Sequence, residues 1–481
     1  MGVNVKSAEQ HVVNLQKRMP FHFGNVVVDE GAHLFLSLSV DVDGTETDGI
    51  AQAGIAPMWF LKDPELSMVD AIESLLDVFE AAWTAALEVK ADTAFGFWDA
   101  LYDRQRDWAA DTDYPPLFWN YGVSVVEQAV VDAVCRANDT TFAAAVRDGT
   151  LGFSPGAIYD ELDGKDAADL LPDAPRRATA LRHTVGLDDP LVEADLSAEE
   201  RLNDGLPQTL TAYIEQDGIE HFKIKLSANV ERDAARLGKI RSVIENRLDE
   251  YAFTLDANEQ YGNAEAFADQ WEVLADSPEL EGFFENLLYV EQPLSRDEAF
   301  TDEARRVLTD WDGPPVIIDE SDARPDSFGR ALDYGYAGTS HKNCKGVFAG
   351  IANRCLIEQR RSDGEGEYLI SGEDLTTLGP IELVEDLAVM ATIGVDHVER
   401  NGHHYYRGLS MFPERVQEAV LDEHDDLYRR HDAGFATLAV DGGRVRFGSV
   451  TDAPFGRRIT PAFDAAVFTP LADWTPKSIF A

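Results

Sequence analysis

The chain is poor in lysine, in cysteine and in long apolar runs. Its 481 residues include eleven lysines against 88 acidic side chains, and the net charge is −47. A field of that sign repels nucleic acid and excludes it as a partner. Three cysteines, Cys135, Cys344 and Cys355, are too few and odd in number for a disulfide framework and fit a reduced cytoplasm. No apolar run reaches the roughly 18 residues of a membrane span. The N-terminal MGVNVKSAEQHVV lacks the apolar centre of a secretory signal. The remainder is a folding sequence, with 44% hydrophobic and 10% aromatic residues. The acids are spread along the whole chain, so the charge belongs to a folded surface rather than a disordered tail. This composition implies a protein adapted to a high-salt cytoplasm, where ions screen the self-repulsion. The length suggests two or three domains.

Residues 21–60 alternate apolar and polar side chains, broken by Gly and Asp, and predict a β-meander. Residues 65–150 read mostly as helices, with Ser67 as a cap before DAIESLLDVFEAAWTAALEVK. From about 178 the texture changes to short apolar strands alternating with amphipathic helices, the pattern of βα units on a parallel sheet. Eight strand candidates are RHTVGL, HFKIKL, AFTLDAN, LLYVEQP, PVIIDES, YAGTSHKN, YLISGED and DHVERNG, a number that suits a (β/α) barrel. The late segment FATLAVDGGRVRFG reads as a hairpin returning to the N-terminal domain.

Alternation along strands sorts the charged residues. In HFKIKL, Phe222, Ile224 and Leu226 share one face, and Lys223 and Lys225 share the other. Two ammonium groups inside a barrel require anions. The next strands supply them. Asp256 and Asn258 face inward in AFTLDAN, and Glu291 does so in LLYVEQP. Asp319 and Glu320 in PVIIDES alternate, so only one turns inward. Lys342 is the lysine nearest the end of the sixth strand. Each group lies late in its strand, at the C-terminal rim where barrel enzymes hold their chemistry. Three carboxylates from consecutive strands form an oxygen-only donor set for a hard divalent cation, Mg²⁺ before Mn²⁺. Four of the eleven lysines, Lys223, Lys225, Lys342 and Lys345, sit in two short segments, and in so lysine-poor a chain that clustering points to a task.

The ordered set KIK (223–225), DAN (256–258), VEQP (290–293), IDES (318–321) and SHKNCKG (340–346) resembles the enolase superfamily, within it the muconate-lactonizing and mandelate racemase-like group. The resemblance implies a modified TIM barrel, (β/α)7β, over residues 178–435. It also implies an α+β N-terminal capping domain over 1–177, completed by 436–481. Carried over residue by residue, it implies Lys225 and Lys342 as an acid/base pair with Lys223 beside them, and Asp256, Glu291 and Asp319 as metal ligands. Asn258, Glu373, His403 and His404 would line the substrate side. The implied activity is removal of the α-proton of a small carboxylic acid to give a metal-stabilised enediolate, leading to racemisation, epimerisation or cycloisomerisation. Elimination by the same lysines is the alternative, and a catalytically silent binding protein a more distant one. An acidic-sugar dehydratase would carry an Asp–His dyad on strands six and seven, where Lys342 stands instead. Lys345 competes with Lys342 as the second lysine, or pairs with Glu320. Cys344 reads as a packed small residue. A homo-oligomer is implied, and specificity is expected from capping-domain loops near residues 20–60. The N-terminal domain is longer than is usual in the family, and Gly346-Val347 replaces its Gly-Gly.

Overall fold

The computed structural model describes residues 2–23, 26–63, 65–460 and 466–480. An antiparallel sheet opens the chain, made of β1 (Val3–Phe23), β2 (Val26–Val42) and β3 (Thr45–Gly54), with the short β4 (Lys90–Ala91) paired to the start of β1. The meander therefore begins at Val3, earlier than the alternation over 21–60 implies. In β1 the apolar residues Val3, Val5, Val12, Val13 and Leu15 are buried, while polar residues fill the exposed positions between them. Within the 20–60 region expected to set specificity, residues 24 and 25 lie outside the described residues. Gly49 is not a strand break but an interior residue of β3. A Cβ there would lie 1.9 Å from the Ala129 carbonyl oxygen, so its absence lets the helix Pro116–Ala137 lie directly on the sheet.

Helices Met68–Ala86, Ala94–Ala109, Pro116–Ala137 and Phe142–Arg147 fill the interval read as helical. Ser67 caps the first of them, its hydroxyl accepting from the Asp70 N–H at 3.2 Å. In the third, every residue from Leu117 to Cys135 is buried. A helix covered all round belongs to the interior, and this one lies between the N-terminal sheet and the barrel.

All eight expected barrel strands form: β5 (Ala178–Val185), β6 (His221–Lys225), β7 (Ala252–Asp256), β8 (Leu287–Glu291), β9 (Val316–Ile318), β10 (Gly338–His341), β11 (Leu369–Gly372) and β12 (His397–Glu399). Each pairs in parallel with the next, and β12 pairs with β5 to close the barrel. Lys225 stands opposite Asp256, and Asp256 opposite Glu291, so the register aligns these groups along one rim.

The late hairpin forms only at its turn, where Asp441 and Arg444 exchange backbone hydrogen bonds at 3.0 and 3.2 Å, and its arms pair elsewhere. β14 (Ala436–Leu438) pairs back with β13 (Tyr428–Arg430), and β15 (Arg444–Arg446) runs antiparallel to the start of β5. Gly442 and Gly443, both at positive φ, do turn the chain. The barrel captures this turn: the Gly443 N–H donates to the Asp217 carbonyl at 2.7 Å, and its carbonyl accepts from Leu181 at 2.8 Å. β16 (Thr469–Pro470) returns to the N-terminal sheet, pairing with His11 and Val12 of β1. Among the described residues no helix is long and apolar enough to cross a membrane.

Candidate active site

Strand β6 buries Phe222 and Ile224 in the hydrophobic core and turns both lysines into the barrel. Lys225 Nζ donates to Asp256 Oδ2 at 2.5 Å and to Asn258 Oδ1 at 2.7 Å. Lys223 Nζ reaches four carboxylates: Asp256 at 3.0 Å, Glu291 at 2.9 Å, Glu373 at 2.5 Å and Glu399 at 3.2 Å. Across the rim, Lys342 Nζ donates to both oxygens of Asp319 at 2.6 Å. The Trp59 ring of the capping domain covers that ammonium, 4.7 Å from its centroid.

The charges in this buried cluster balance unevenly. Burial opposes a charged Lys223, but Asp256, Glu291, Glu373 and Glu399 outweigh it and hold the ammonium well above the usual lysine range. Burial likewise opposes ionisation of Asp319, yet Lys342 and Lys345 hold its carboxyl well below the usual range. Glu291 goes the other way: burial, then Asp256 and Glu373, push it well above the ordinary glutamate value. Glu291 is thus the member of the trio with the strongest demand for an additional positive charge.

Two expectations need correcting. Alternation admits only one of Asp319 and Glu320 if the strand runs through both. Strand β9 ends at Ile318, so both acids lie in the turn beyond it and alternation no longer applies. Asp319 meets the lysines. Glu320, also buried, lies 3.4 Å from Asn258 Nδ2 and 3.4 Å from Lys62 Nζ, on the same rim. Lys345 does not pair with Glu320. It donates to the carbonyl and hydroxyl of Ser340 at 2.8 and 2.9 Å, lies 2.8 Å from Asp319 Oδ1, and does not line the cavity above the rim.

A cavity of about 80 Å³ opens above the rim and is walled by Lys223, Lys225, Asp256, Asn258, Asp319 and Lys342. Of the residues expected on the substrate side, only Asn258 lines it. Glu373 lies below, fully buried, where it pairs with Arg182 and accepts from Ser371 at 2.6 Å. The strand turns its neighbour Asp374 to the cavity instead. His403 bonds the Arg400 carbonyl, and His404 bonds the Tyr213 hydroxyl; their rings pack with His183 and Tyr213 away from the lysines. Neither lines the cavity. Cys344 is buried and its thiol is pushed up to about 12 by burial, which makes it inert as a nucleophile.

Phe21 and Trp59, within the 20–60 region expected to set specificity, wall the cavity, while sequence reasoning missed Lys17 from the capping domain and Asp374, Glu399 and Asn401 from the last strands. It also missed the latch behind Trp59. Arg296 donates to the Trp59 and Phe60 carbonyls at 2.8 and 2.6 Å, while Lys62 reaches Glu259, Glu320 and the Asn258 carbonyl. Lysine scarcity was the available signal. Six of the eleven lysines, Lys17, Lys62, Lys223, Lys225, Lys342 and Lys345, gather at this rim.

Among the described residues, no three acidic, histidine or cysteine side chains stand as a ready cage for an ion. The ammonium groups of Lys223, Lys225 and Lys342 sit among the carboxylates instead. The donor chemistry nevertheless suits a hard cation: Asp256, Glu291 and Asp319 end adjacent strands or the turn after one, and all their donors are oxygen. Glu291 Oε2 is buried and receives no directed hydrogen bond, only the 2.9 Å approach of Lys223.

Comparison with known proteins agrees with this architecture. Residues 206–344 match the model of the family described as enolase C-terminal domain-like. A muconate lactonizing enzyme from Mycobacterium smegmatis, solved with muconolactone, superposes with a TM-score of 0.61 at 17% identity, covering 97% of this chain and 100% of that one. A dipeptide epimerase from Enterococcus faecalis, solved with Mg and L-Leu-L-Tyr, gives 0.59 at 12% identity over 94% and 99%. An N-succinyl Arg/Lys racemase from Bacillus cereus gives 0.59 at 15% identity over 95% and 96%. No curated protein matches by sequence. The fold is that of the enolase superfamily: a closed eight-stranded parallel barrel under an N-terminal antiparallel sheet domain.

Proposed function

We propose that this protein is an enolase-superfamily enzyme that removes the α-proton of a small carboxylic acid and returns a proton to isomerise it. One observation carries the reading: Lys225 and Lys342, from strands on different sides of the rim, present their ammonium nitrogens to one small cavity beside three clustered carboxylates. Lys225, in its neutral form, takes the proton from one face of Cα, and Lys342 delivers one from the other; the roles reverse in the back reaction. Lys223 stays charged among its four acids and serves as a fixed positive centre. Asn258 holds Lys225 in place through its side-chain oxygen.

Asp256, Glu291 and Asp319 would hold Mg²⁺, with Mn²⁺ as a substitute. When bound, the ion supplies Lewis-acid stabilisation of the charge that builds on the substrate carboxylate. Support for the metal lies in the donor set and in Mg present in fold relatives such as the dipeptide epimerase. The same reading takes the protein as a homo-oligomer working in a high-salt cytoplasm.

The test is solvent-deuterium wash-in at the α-carbon across a panel of carboxylic acids in concentrated salt, with and without Mg²⁺. Exchange that requires the ion is expected. A complete lack of Mg²⁺-dependent exchange across the panel contradicts the reading.

A further inference from the structure

The cavity beside the lysines, at about 80 Å³, holds little more than the reacting end of an acid. It continues outward into a second chamber of about 200 Å³. The two share Lys17, Ala56, Trp59, Leu375 and Thr376 as walls. Beyond them the outer chamber is largely apolar, with Ile55, Met58, Met68 and Ile72 on one side. A substrate that extends from one chamber into the other meets Lys17 among the shared walls.

Lys17 is unusual among the basic residues of this chain. Its neighbour Arg18, on the opposite side of β1, is fully engaged, with Asp204 at 2.8 Å and the carbonyls of Pro207 and His404 at 2.9 and 3.1 Å. Lys17 has no ion pair or hydrogen bond among the described residues; its contact is the Tyr406 ring, 5.2 Å from the ammonium. Asp29 acts on it only through space, and Asp29 and Glu30 line the outer chamber, which Lys17 also walls, but not the inner one. Gly31 lies beside the ammonium, where a Cβ would make ordinary contacts of 3.9 Å with Nζ and 3.7 Å with the Tyr406 hydroxyl. Burial pulls Lys17 down to about 8 against the opposing pull of Asp29, which marks an ammonium short of a counter-charge. In a protein carrying 88 acids, a half-buried lysine that makes no ion pair among the described residues and walls two adjoining cavities is placed to meet an anion.

We propose that Lys17 receives a second carboxylate of the substrate, so that the acid bound here is a dicarboxylate. Its reacting end lies between Lys225 and Lys342, and its link runs along Trp59 and Leu375. The assignment rests on the reaction proposed above for the inner cavity, but its test does not depend on turnover.

The experiment is equilibrium binding by titration calorimetry on the full chain with Mg²⁺ in concentrated salt. Succinate, glutarate and adipate are compared with butyrate, valerate and caproate, using the parent, Lys17→Met and Lys17→Arg. The parent should favour at least one diacid over its monoacid by about tenfold or more, the size of one charge-assisted hydrogen bond. Lys17→Met should erase that preference, and Lys17→Arg should retain part of it. No diacid preference in the parent, or one that persists in Lys17→Met, overturns the assignment. Lys17-dependent binding without α-proton exchange would refute the reaction and leave this assignment standing; exchange with Lys17-independent binding would do the reverse.

Discussion

At the scale of single residues, the site depends on how the lysines are partnered. Lys223 is locked among four carboxylates and Lys342 on one. Removing Lys223 leaves Glu291, Glu373 and Glu399 with one fewer cation in a buried site. Lys223→Met should therefore lower stability by about 3–5 kcal/mol, the cost of breaking a buried charge cluster from one side, visible as a lower denaturant midpoint. Glu127 gives a pH-dependent prediction away from the chemistry. Its carboxyl accepts from the Val347 and Phe348 N–H groups at 3.1 and 2.7 Å, but burial dominates and raises it from 4.5 to about 8. The folded state then binds more protons than the unfolded one between these values. Stability should fall as pH rises from about 4.5 to about 8, by on the order of a few kcal/mol. Glu127→Gln should remove that part of the slope in unfolding curves measured across the window; an unchanged slope would place the titrating group elsewhere.

At the scale of elements, the capping domain does more than cover the barrel. The buried helix Pro116–Ala137 carries a polar stripe, Asn120, Ser124, Glu127 and Gln128, at helical spacing. All four bond the segment after Lys342: Asn120 to the Lys345 carbonyl at 2.9 Å, Ser124 to the Cys344 carbonyl at 3.0 Å, Gln128 to Asn343 at 3.4 Å, and Glu127 to the N-terminus of the next helix. The turn that follows Lys342 is thus held by a helix more than two hundred residues earlier in the chain. Asn120→Ala combined with Ser124→Ala should lower kcat by about tenfold or more through misplacement of Lys342, with a smaller change in KM. The same helix rests on Gly49. Gly49→Ala should cost about 1–3 kcal/mol by overpacking, read as a lower melting temperature; an unaltered melting temperature would show that the helix can lift without cost.

The same contacts explain how much could be read in the sequence. The eight barrel strands and the inward lysines were legible because alternation holds wherever a strand persists. It ceased to apply just past a strand end, at Asp319 and Glu320, where the chain has already turned. Gly49 was illegible as a packing site because its partner, Ala129, is eighty residues away. Trp59 and Lys62 reach the rim from a domain with no motif of its own. His403 and His404 looked like site residues because polar side chains after a strand do not reveal which way the next helix turns them.

At the scale of the whole molecule, the charge of −47 predicts a stability that depends on salt. The screening length falls from about 10 Å at 0.1 M salt to about 3 Å at 1 M, so the surface repulsion is largely removed only in concentrated salt. The melting temperature should rise steeply over that range. A flat response would mean that the acids are spaced widely enough to coexist without screening. Binding of the cation among the rim carboxylates should add further stability to the folded chain. The fold, the charge and the lysine economy converge on one claim, that Lys225 and Lys342 are the acid/base pair of an α-proton transfer. The most direct measurement is deuterium wash-in at the α-carbon of an exchanging acid, with Mg²⁺ and high salt, in the parent, Lys225→Met and Lys342→Met. Each substitution should lower exchange by about 10²–10⁴-fold while the variants stay folded, and where both enantiomers exchange, each should silence a different one. Parental-rate exchange of both enantiomers in either variant would contradict the account.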